Sequence, residues 1–412
     1  MIPVLKNQVV ATDQGIGDYL GTGTSISNDG TVLVVGAQFW EGATSNQGGV
    51  YTLDKVSGSW VQRGSVLTAA DPSTNAGFGI NVSISGNGLV LAVGAKYWAT
   101  DTSSAKGGVY IFDKSGTSWV QRGAILTASD AASGDTFGAA IALSYDGAVL
   151  AVGASFWEGT VTDQGGVYTF DRSGSTWVQR GSVLVSPNAA TGTNDQFGAG
   201  LGISSDGNVL VVGAAYRDGT YSNQGSVYTF DRSGSAWVQR GSVLLPPDLA
   251  ASMIFGLGVS ISPDGLTLAA SSRGYTGTAS AQGCAYIFGK SGASWVQRGS
   301  RIISPSPSSN GWFGYSLALS GVKTLAIASP KPSATGIIEE FLLNYEPVYA
   351  GQITLSAPEN QTSAGTAVFS DPEGDAMTYA LSGADADKFN ISTNGALTFK
   401  AAPDYESPTD QG

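Results

Sequence analysis

The pentapeptide Trp60-Val61-Gln62-Arg63-Gly64 returns at Trp119, Trp177, Trp237 and Trp295, with spacings of 59, 58, 60 and 58 residues. A period near 58 without helical patterning inside it means that each unit is one supersecondary module, burying its apolar faces against its neighbours. The 412 residues include 58 glycines, about twice the usual ~7% share. Glycine at that level belongs to turns. Short runs of Val, Thr, Tyr, Phe and Trp between Asp-Gly or Ser-Gly pairs read as an all-β chain with many hairpins.

Each unit carries four strand-like runs, which in the second unit are 80–85, 89–95, 108–113 and 119–126. Turns of the type Ser27-Asn28-Asp29-Gly30 recur from Ser144, Ser204 and Ser262, with Ser85-Gly86-Asn87-Gly88 as a variant, and join runs one and two. Ser-Gly pairs at Ser57, Ser115, Ser173, Ser233 and Ser291 join runs three and four. In both, Gly takes the positive φ and Ser or Asp bonds nearby backbone. Longer links, such as 96–106 and 127–136, join runs two and three and lead from run four into the next unit. A meander alternates the ends at which its turns emerge, so the long links share one rim and the hairpins the other.

Four-stranded antiparallel sheets repeated radially make a β-propeller. Phe-Gly occurs at Phe78, Phe137, Phe197, Phe255 and Phe313, with Leu20-Gly21 at the expected place before them, which counts six blades. The sixth ends in 336–343 and lacks the pentapeptide, whereas 4–13 aligns with 62–71. The N-terminal strand is therefore expected to complete blade six and remove an open edge. Innermost strands crowd the axis, so Gly permits close approach and Phe fills the wedge between sheets. The five pentapeptide tryptophans are expected to pack in the core or between blades. Cys284 stands where other units have Gly49, Gly108, Gly166 and Ser226 and reads as a small buried residue.

Absence of histidine and the single cysteine remove zinc sites of the usual ligand sets, Ser-His and Cys-His nucleophiles and any intrachain disulfide. The formal charge is −12, with 23 acids against 18 bases in residues 1–346 and 9 against 2 in 347–412. Such a chain repels phosphate backbones, so nucleic acid is an unsuitable partner and a cation a suitable one. No apolar run reaches the ~18 residues of a membrane span, and no signal segment follows Met1.

The Phe-Gly pairs together with Gly36-Ala37, Gly94-Ala95, Gly153-Ala154 and Gly213-Ala214 resemble the FG-GAP repeats of integrin α-subunit propellers and their bacterial relatives, over residues 1–346. That family usually has seven blades and places calcium in Asp-rich loops between the first two strands. The corresponding turns here are too short and hold at most one Asp, so propeller calcium sites are not carried over.

Residues 347–352 read as a linker, after which the period stops. Pro358-Glu359-Asn360, Gly365, the run Asp371-Pro372-Glu373-Gly374-Asp375, Phe389, Gly395-Ala396-Leu397 and Asp404-Tyr405-Glu406 resemble the first part of a cadherin-like domain over 353–412. The resemblance implies a partial β-sandwich, with calcium bound by Glu359, Asp404 and Glu406, and by Asp371, Glu373 and Asp375 beside them. Calcium takes six to eight hard oxygens. A solvated acidic surface is the alternative. Two strands of such a domain are missing, so a fragment of a longer protein is expected.

Links between runs two and three hold Trp40-Glu41, Trp98, Trp157-Glu158, Arg217-Asp218 and Tyr275, with Gln47, Gln164, Gln224 and Gln282 just before run three. An aromatic plate beside an amide and a carboxylate suits sugar recognition; rings that seal the loops onto the blade are the alternative. Carboxylates repeated on successive blades stand too far apart for a glycosidase pair, and a repeated site suits multivalent binding. The chain is therefore expected to be no enzyme. The two resemblances imply an extracellular or cell-surface adhesion or scaffold module, monomeric as a propeller, with a cell-surface or matrix protein or a glycan as partner. A lectin-like propeller and a structural surface-layer or filament component are the alternatives.

Overall fold

The computed structural model describes residues 2–11, 13–71, 74–99, 105–130, 132–187, 194–331, 334–344, 348–349, 358, 360–370 and 377–404. The chain divides into two compact units, Pro3–Leu342 and Leu343–Gly412 with Met1–Ile2.

Among the described residues the first unit contains six four-stranded antiparallel sheets, the arrangement of a β-propeller. Innermost strands are Leu20–Ile26, Phe78–Ile84, Phe137–Leu143, Phe197–Ile203, Phe255–Ile261 and Leu317–Leu319. Each of them contacts the innermost strand of the next sheet, and Leu317–Leu319 contacts Leu20–Ile26. Five sheets are meanders in chain order. The sixth takes its outermost strand from the other end of the chain, Ile2–Val9 beside Ile337–Asn344.

The phenylalanine of each Phe-Gly pair is at most 1% exposed. Phe78 meets Tyr110 and Phe112 edge-on at 5.2 and 6.2 Å, and Phe137 and Phe197 repeat the triad one and two sheets further on. Gly79 has φ +89°, which bulges the strand and pushes its carbonyl against Gly36 of the preceding sheet. A β-carbon at Gly36 would overlap that oxygen, and Gly94, Gly153 and Gly213 stand in the same relation to Gly138, Gly198 and Gly256. The two glycine motifs are thus halves of one contact between sheets. At the last two seams, Ser271 and Ala328 replace the glycine, and the innermost strand of sheet six shortens to three residues.

Run four is shorter than its sequence suggests. Ordered pairing covers Ser118–Gln121, and Leu126 rejoins only as an isolated bridge to Val109. The cause lies in Arg122-Gly123. Gly123 turns at φ +64°, and Arg122 folds back so that Nε donates to Asp113 at 2.6 Å while Nη2 meets the other carboxylate oxygen. Arg63, Arg180 and Arg240 hold Asp54, Asp171 and Asp231 in the same way.

The tryptophan of the pentapeptide is half-buried and reaches the preceding sheet. Trp119, Trp237 and Trp295 donate Nε1 to Thr52, Thr169 and Thr229 at 3.0, 3.3 and 3.3 Å. Trp177 would find its acceptor at position 111, which is Ile, and its buried Nε1 has no partner. In the closing sheet this position is Glu340, which accepts from Trp60 Nε1 at 2.9 Å and from Asn7 Nδ2 at 2.6 Å and pairs with Lys55. Its neighbour Glu339 accepts from Gln8 Nε2 and Ser304 Oγ, each at 3.0 Å. Buried carboxylates therefore fasten the N-terminal strand where other sheets use Tyr and Thr.

In the second unit, Ser363–Thr366, Ala396–Phe399 and Phe389–Ile391 form a three-stranded sheet, and Val348–Tyr349 pairs with Phe369–Ser370. Phe389 and Phe399 pack at 4.6 Å, and Phe369 meets Tyr379 at 5.9 Å.

Candidate ligand-binding rim

The long links share one rim, because each leaves the end of a strand opposite the short hairpins. They are also joined from sheet to sheet. Asn75 N donates to Ser45 O, Gly134 N to Ala105 O, Asn194 N to Thr162 O, Ser252 N to Ser222 O and Asn310 N to Ser280 O. Every one of these bonds ties the link between strands two and three of one sheet to the link entering the next. The rim is therefore one hydrogen-bonded surface.

Within each link, a backbone turn fixes the residues expected to bind ligand. Trp40 N donates to Ala37 O and Gly48 N to Trp40 O, each at 3.1 Å, and Trp98, Trp157, Arg217 and Tyr275 repeat the pattern. The three indoles lie over the start of strand three. A β-carbon at Gly49, Gly108 or Gly166 would stand 3.3, 3.4 and 3.3 Å from the rings of Trp40, Trp98 and Trp157. All three pack on the sheet core. Tyr275 packs likewise and carries Arg301 at 4.7 Å above its ring.

Amides expected beside these rings face inward. Gln47, Gln164, Gln224 and Gln282 are buried, and their Oε1 atoms accept from the backbone of Thr44, Thr160, Tyr221 and Ala279 at 3.0, 3.0, 2.9 and 2.7 Å. Glu41, Glu158 and Asp218 are exposed, and Asp218 accepts from Asn223 N at 2.7 Å. One such set sits on each link, so the eight residues are not brought into one pocket.

Sequence reading missed the acids behind the links. Asp18, Asp135 and Asp195 occupy one position in three sheets and are buried, with 9%, 3% and 3% exposure. Asp18 accepts from Gly15 N at 2.6 Å and Asp135 from Ala132 N at 2.8 Å. Burial raises both carboxyls above the usual range, and Glu41 with Asp13, or Asp130 with Glu158, adds to it. Asp195 is pushed up to about 6, chiefly by burial, with Arg217 opposing and Asp218 reinforcing. The missed signal was Asp two residues before Leu20, Phe137 and Phe197. Strand three adds a set of buried phenols: Tyr110 donates to Asp71 and Tyr168 to Asp130, each at 2.8 Å, and Tyr286 donates to Asp248. Burial raises all three phenols. It also pushes the Cys284 thiol up to about 12, an inert thiol at neutral pH.

Of the expected calcium ligands, Glu359, Asp371, Glu373, Asp375 and Glu406 lie outside the described residues, and Asp404 is exposed. Among the described residues no three acidic, Cys or His side chains cluster as a metal site, and no helix is long and apolar enough to cross a membrane.

Two solved structures share a distant likeness. One is a protein described as TolB from Agrobacterium tumefaciens, with 13% identity, a TM-score of 0.39 and coverage of 78% of this chain and 90% of that one. The other is the periplasmic gluconolactonase PpgL of Pseudomonas aeruginosa, with 17% identity, a TM-score of 0.42 and coverage of 69% and 70%. At these scores neither carries an argument about activity. The gluconolactonase nonetheless corrects the expectation that the chain is no enzyme: an enzyme stands among its structural neighbours, so that exclusion is withdrawn, and nothing shows this chain to be an enzyme. No curated protein matches. The FG-GAP repeat family matches at 60–112, 119–170 and 183–230, and the first two matches begin on the outermost strand of one sheet and continue through three strands of the next. These three stretches of the propeller are similar to FG-GAP repeats.

Proposed function

We propose that the chain is an extracellular or cell-surface adhesion or scaffold module, a six-bladed propeller head closed by its N-terminal strand and leading into a calcium-dependent cadherin-like segment. The continuous rim carries this reading. Its links are hydrogen-bonded from one sheet to the next, its aromatic rings and amides are used to hold the links, and its exposed side chains repeat around a ring. A rigid surface that repeats one set of groups suits a partner met at several points.

The test is adhesion of the whole chain, immobilised on beads, to extracellular-matrix proteins and to a glycan array, with calcium and with chelator. Saturable, calcium-sensitive retention by a matrix protein supports the reading. Binding to one sugar class alone makes the propeller a lectin, and silence on both surfaces overturns the proposal. In a calcium titration followed by NMR, the Asp404 region is expected to shift and the sheets of the head to stay unchanged; the same titration of Asp404→Asn should show weaker binding.

A further inference from the structure

Six innermost strands enclose an axial cavity of about 100 Å³, whose polar lining includes Thr24, Asn81, Ser83, Ser260, Tyr315 and Ser316. Its hairpin end is stitched. Asn28 N donates to Gly86 O, Asn87 N to Tyr145 O, Tyr145 N to Ser205 O, Ser205 N to Pro263 O and Gly321 N to Asn28 O, at 2.8 to 3.0 Å. The one link missing from this circle falls where Pro263 has no N–H to donate. Asn28 Nδ2 then spans to Ser205 Oγ at 2.7 Å. The long links gather at the other end, where Tyr315 of the cavity lining meets the rim.

At that end the residue before each Phe-Gly or Leu-Gly pair is left-handed: Tyr19, Gly77, Thr136, Gln196, Ile254 and Trp312 have φ between +52° and +68°. Bulky and β-branched side chains rarely adopt this backbone, and such strain concentrates at functional positions. Over four successive sheets the mouth becomes aromatic. Tyr19 meets Phe39 at 5.1 Å and Trp312 at 6.4 Å, and Trp312 stacks on Tyr315 at 6.1 Å. Arg273 lies over Trp312 and Tyr315 at 5.1 and 5.7 Å and donates Nη2 to Tyr216 Oη at 3.2 Å. The residue after Arg273 is Gly274, where sister sheets have Phe39, Tyr97, Phe156 and Tyr216; a β-carbon there would overlap Ser252 O.

Arg63, Arg122, Arg180, Arg240 and Arg301 are each paired with an aspartate; Arg172, Arg217, Arg232, Arg273 and Arg298 form no such pair among the described residues, and of these five Arg273 is the one that lies over aromatic rings. Arg273 is half-exposed, and no carboxylate among the described residues lies within 4 Å of it. Its guanidinium carbon lies over two rings and Nη2 donates to Tyr216, so the fork of this half-exposed side chain is held in place in a chain of charge −12. A planar fork held by aromatic faces matches a carboxylate at little entropic cost.

We propose that this mouth is a binding site for a single carboxylate, the Asp or Glu side chain of a protein partner, with Arg273 as its anchor. The occupied ring faces argue for a lone carboxylate over a sugar, because Trp312 already stacks on Tyr315 and carries Arg273. The net negative charge argues against an acidic polymer. The proposal names the partner's chemistry at the head and rests on the adhesion reading above.

The test is NMR titration of the whole chain with N-acetyl-glutamate methylamide, and with the glutamine analogue as the neutral isostere, following the Trp312 indole N–H assigned with Trp312→Phe. Saturable shifts are expected with the glutamate probe alone, weakened ~10-fold in Arg273→Lys, which keeps the charge but lacks the fork, and largely lost in Arg273→Ala. Equal shifts with both probes, or a response unchanged in Arg273→Gln while thermal unfolding stays wild type, would overturn the site. A galacturonate oligomer binding more tightly than the glutamate probe would overturn the peptide assignment. Bead adhesion that persists in Arg273→Ala while the titration fails rejects this site and leaves the adhesion module standing.

Discussion

Single residues at repeated positions provide internal controls. Trp119 and Trp177 occupy the same place, but only Trp119 has a threonine to receive its indole N–H. Replacing either by Phe removes similar apolar area, and Trp119→Phe also strands a buried Thr52 hydroxyl. In urea unfolding Trp119→Phe should therefore cost about 1 kcal/mol more than Trp177→Phe; equal losses would deny the hydrogen bond a role. Glu339 gives a second residue-scale expectation. Burial raises its carboxyl, opposed by hydrogen bonds from Ser304 and Gln8 and by Lys331. With a folded value above the unfolded one, its contribution is fully present below about pH 4.5 and lost as pH rises through the folded value. Glu339→Gln keeps an acceptor for both partners and removes that loss. The melting-temperature difference between Glu339→Gln and wild type should grow from pH 4 to pH 8; a constant difference would count against this account.

At the scale of elements, the contact between a Phe-Gly bulge and the glycine of the preceding sheet sets the spacing of the propeller. Gly153→Ala forces a β-carbon onto the Gly198 carbonyl, and backbone on both sides cannot yield as a flexible side chain would. A loss of about 3 kcal/mol is expected, against a loss within about 1 kcal/mol for Ala328→Gly at the seam that already holds a methyl group. Guanidinium unfolding of both variants checks the contrast. The pentapeptide became clear only here. Its tryptophan ties sheet to sheet, its arginine bends back onto the aspartate of strand three, and its glycine makes that bend, so the outermost strand is short.

For the molecule as a whole, closure depends on the N-terminal strand meeting Ile337–Asn344. Removing residues 1–10 deletes the outermost strand of sheet six, exposes the edge of Ile337–Asn344 and strips Glu339 and Glu340 of Gln8 and Asn7. The truncated chain should unfold at lower temperature and self-associate in sedimentation, as an open edge invites pairing. A synthetic peptide of residues 1–11 added in trans should restore monomers and raise the melting temperature. Failure of that rescue with an otherwise folded chain would mean that closure contributes little. The same seam reaches the rim, where Tyr19 of the first sheet meets Trp312 of the sixth, so truncation should also weaken carboxylate binding at Arg273.

Periodicity, glycine spacing and turn chemistry were enough to establish an all-β repeat whose units are four-stranded sheets, because strand alternation and positive-φ turns are local and recur in every unit. The N-terminal strand in sheet six was legible for the same reason: 4–13 repeats a sequence seen elsewhere with its own sheet. The rim was not legible. Trp40, Trp98 and Trp157 beside glutamines read equally as a sugar platform or as loop seals, and only tertiary contacts turned the amides inward and laid the rings on Gly49, Gly108 and Gly166. Tyr19 and Trp312 share one position of the repeat, whereas Arg273 and Tyr216 stand at others, and the four come from four sheets, so no single spacing along the chain links them. Their meeting depends on how the sheets close around the axis, which each unit decides only together with its neighbours.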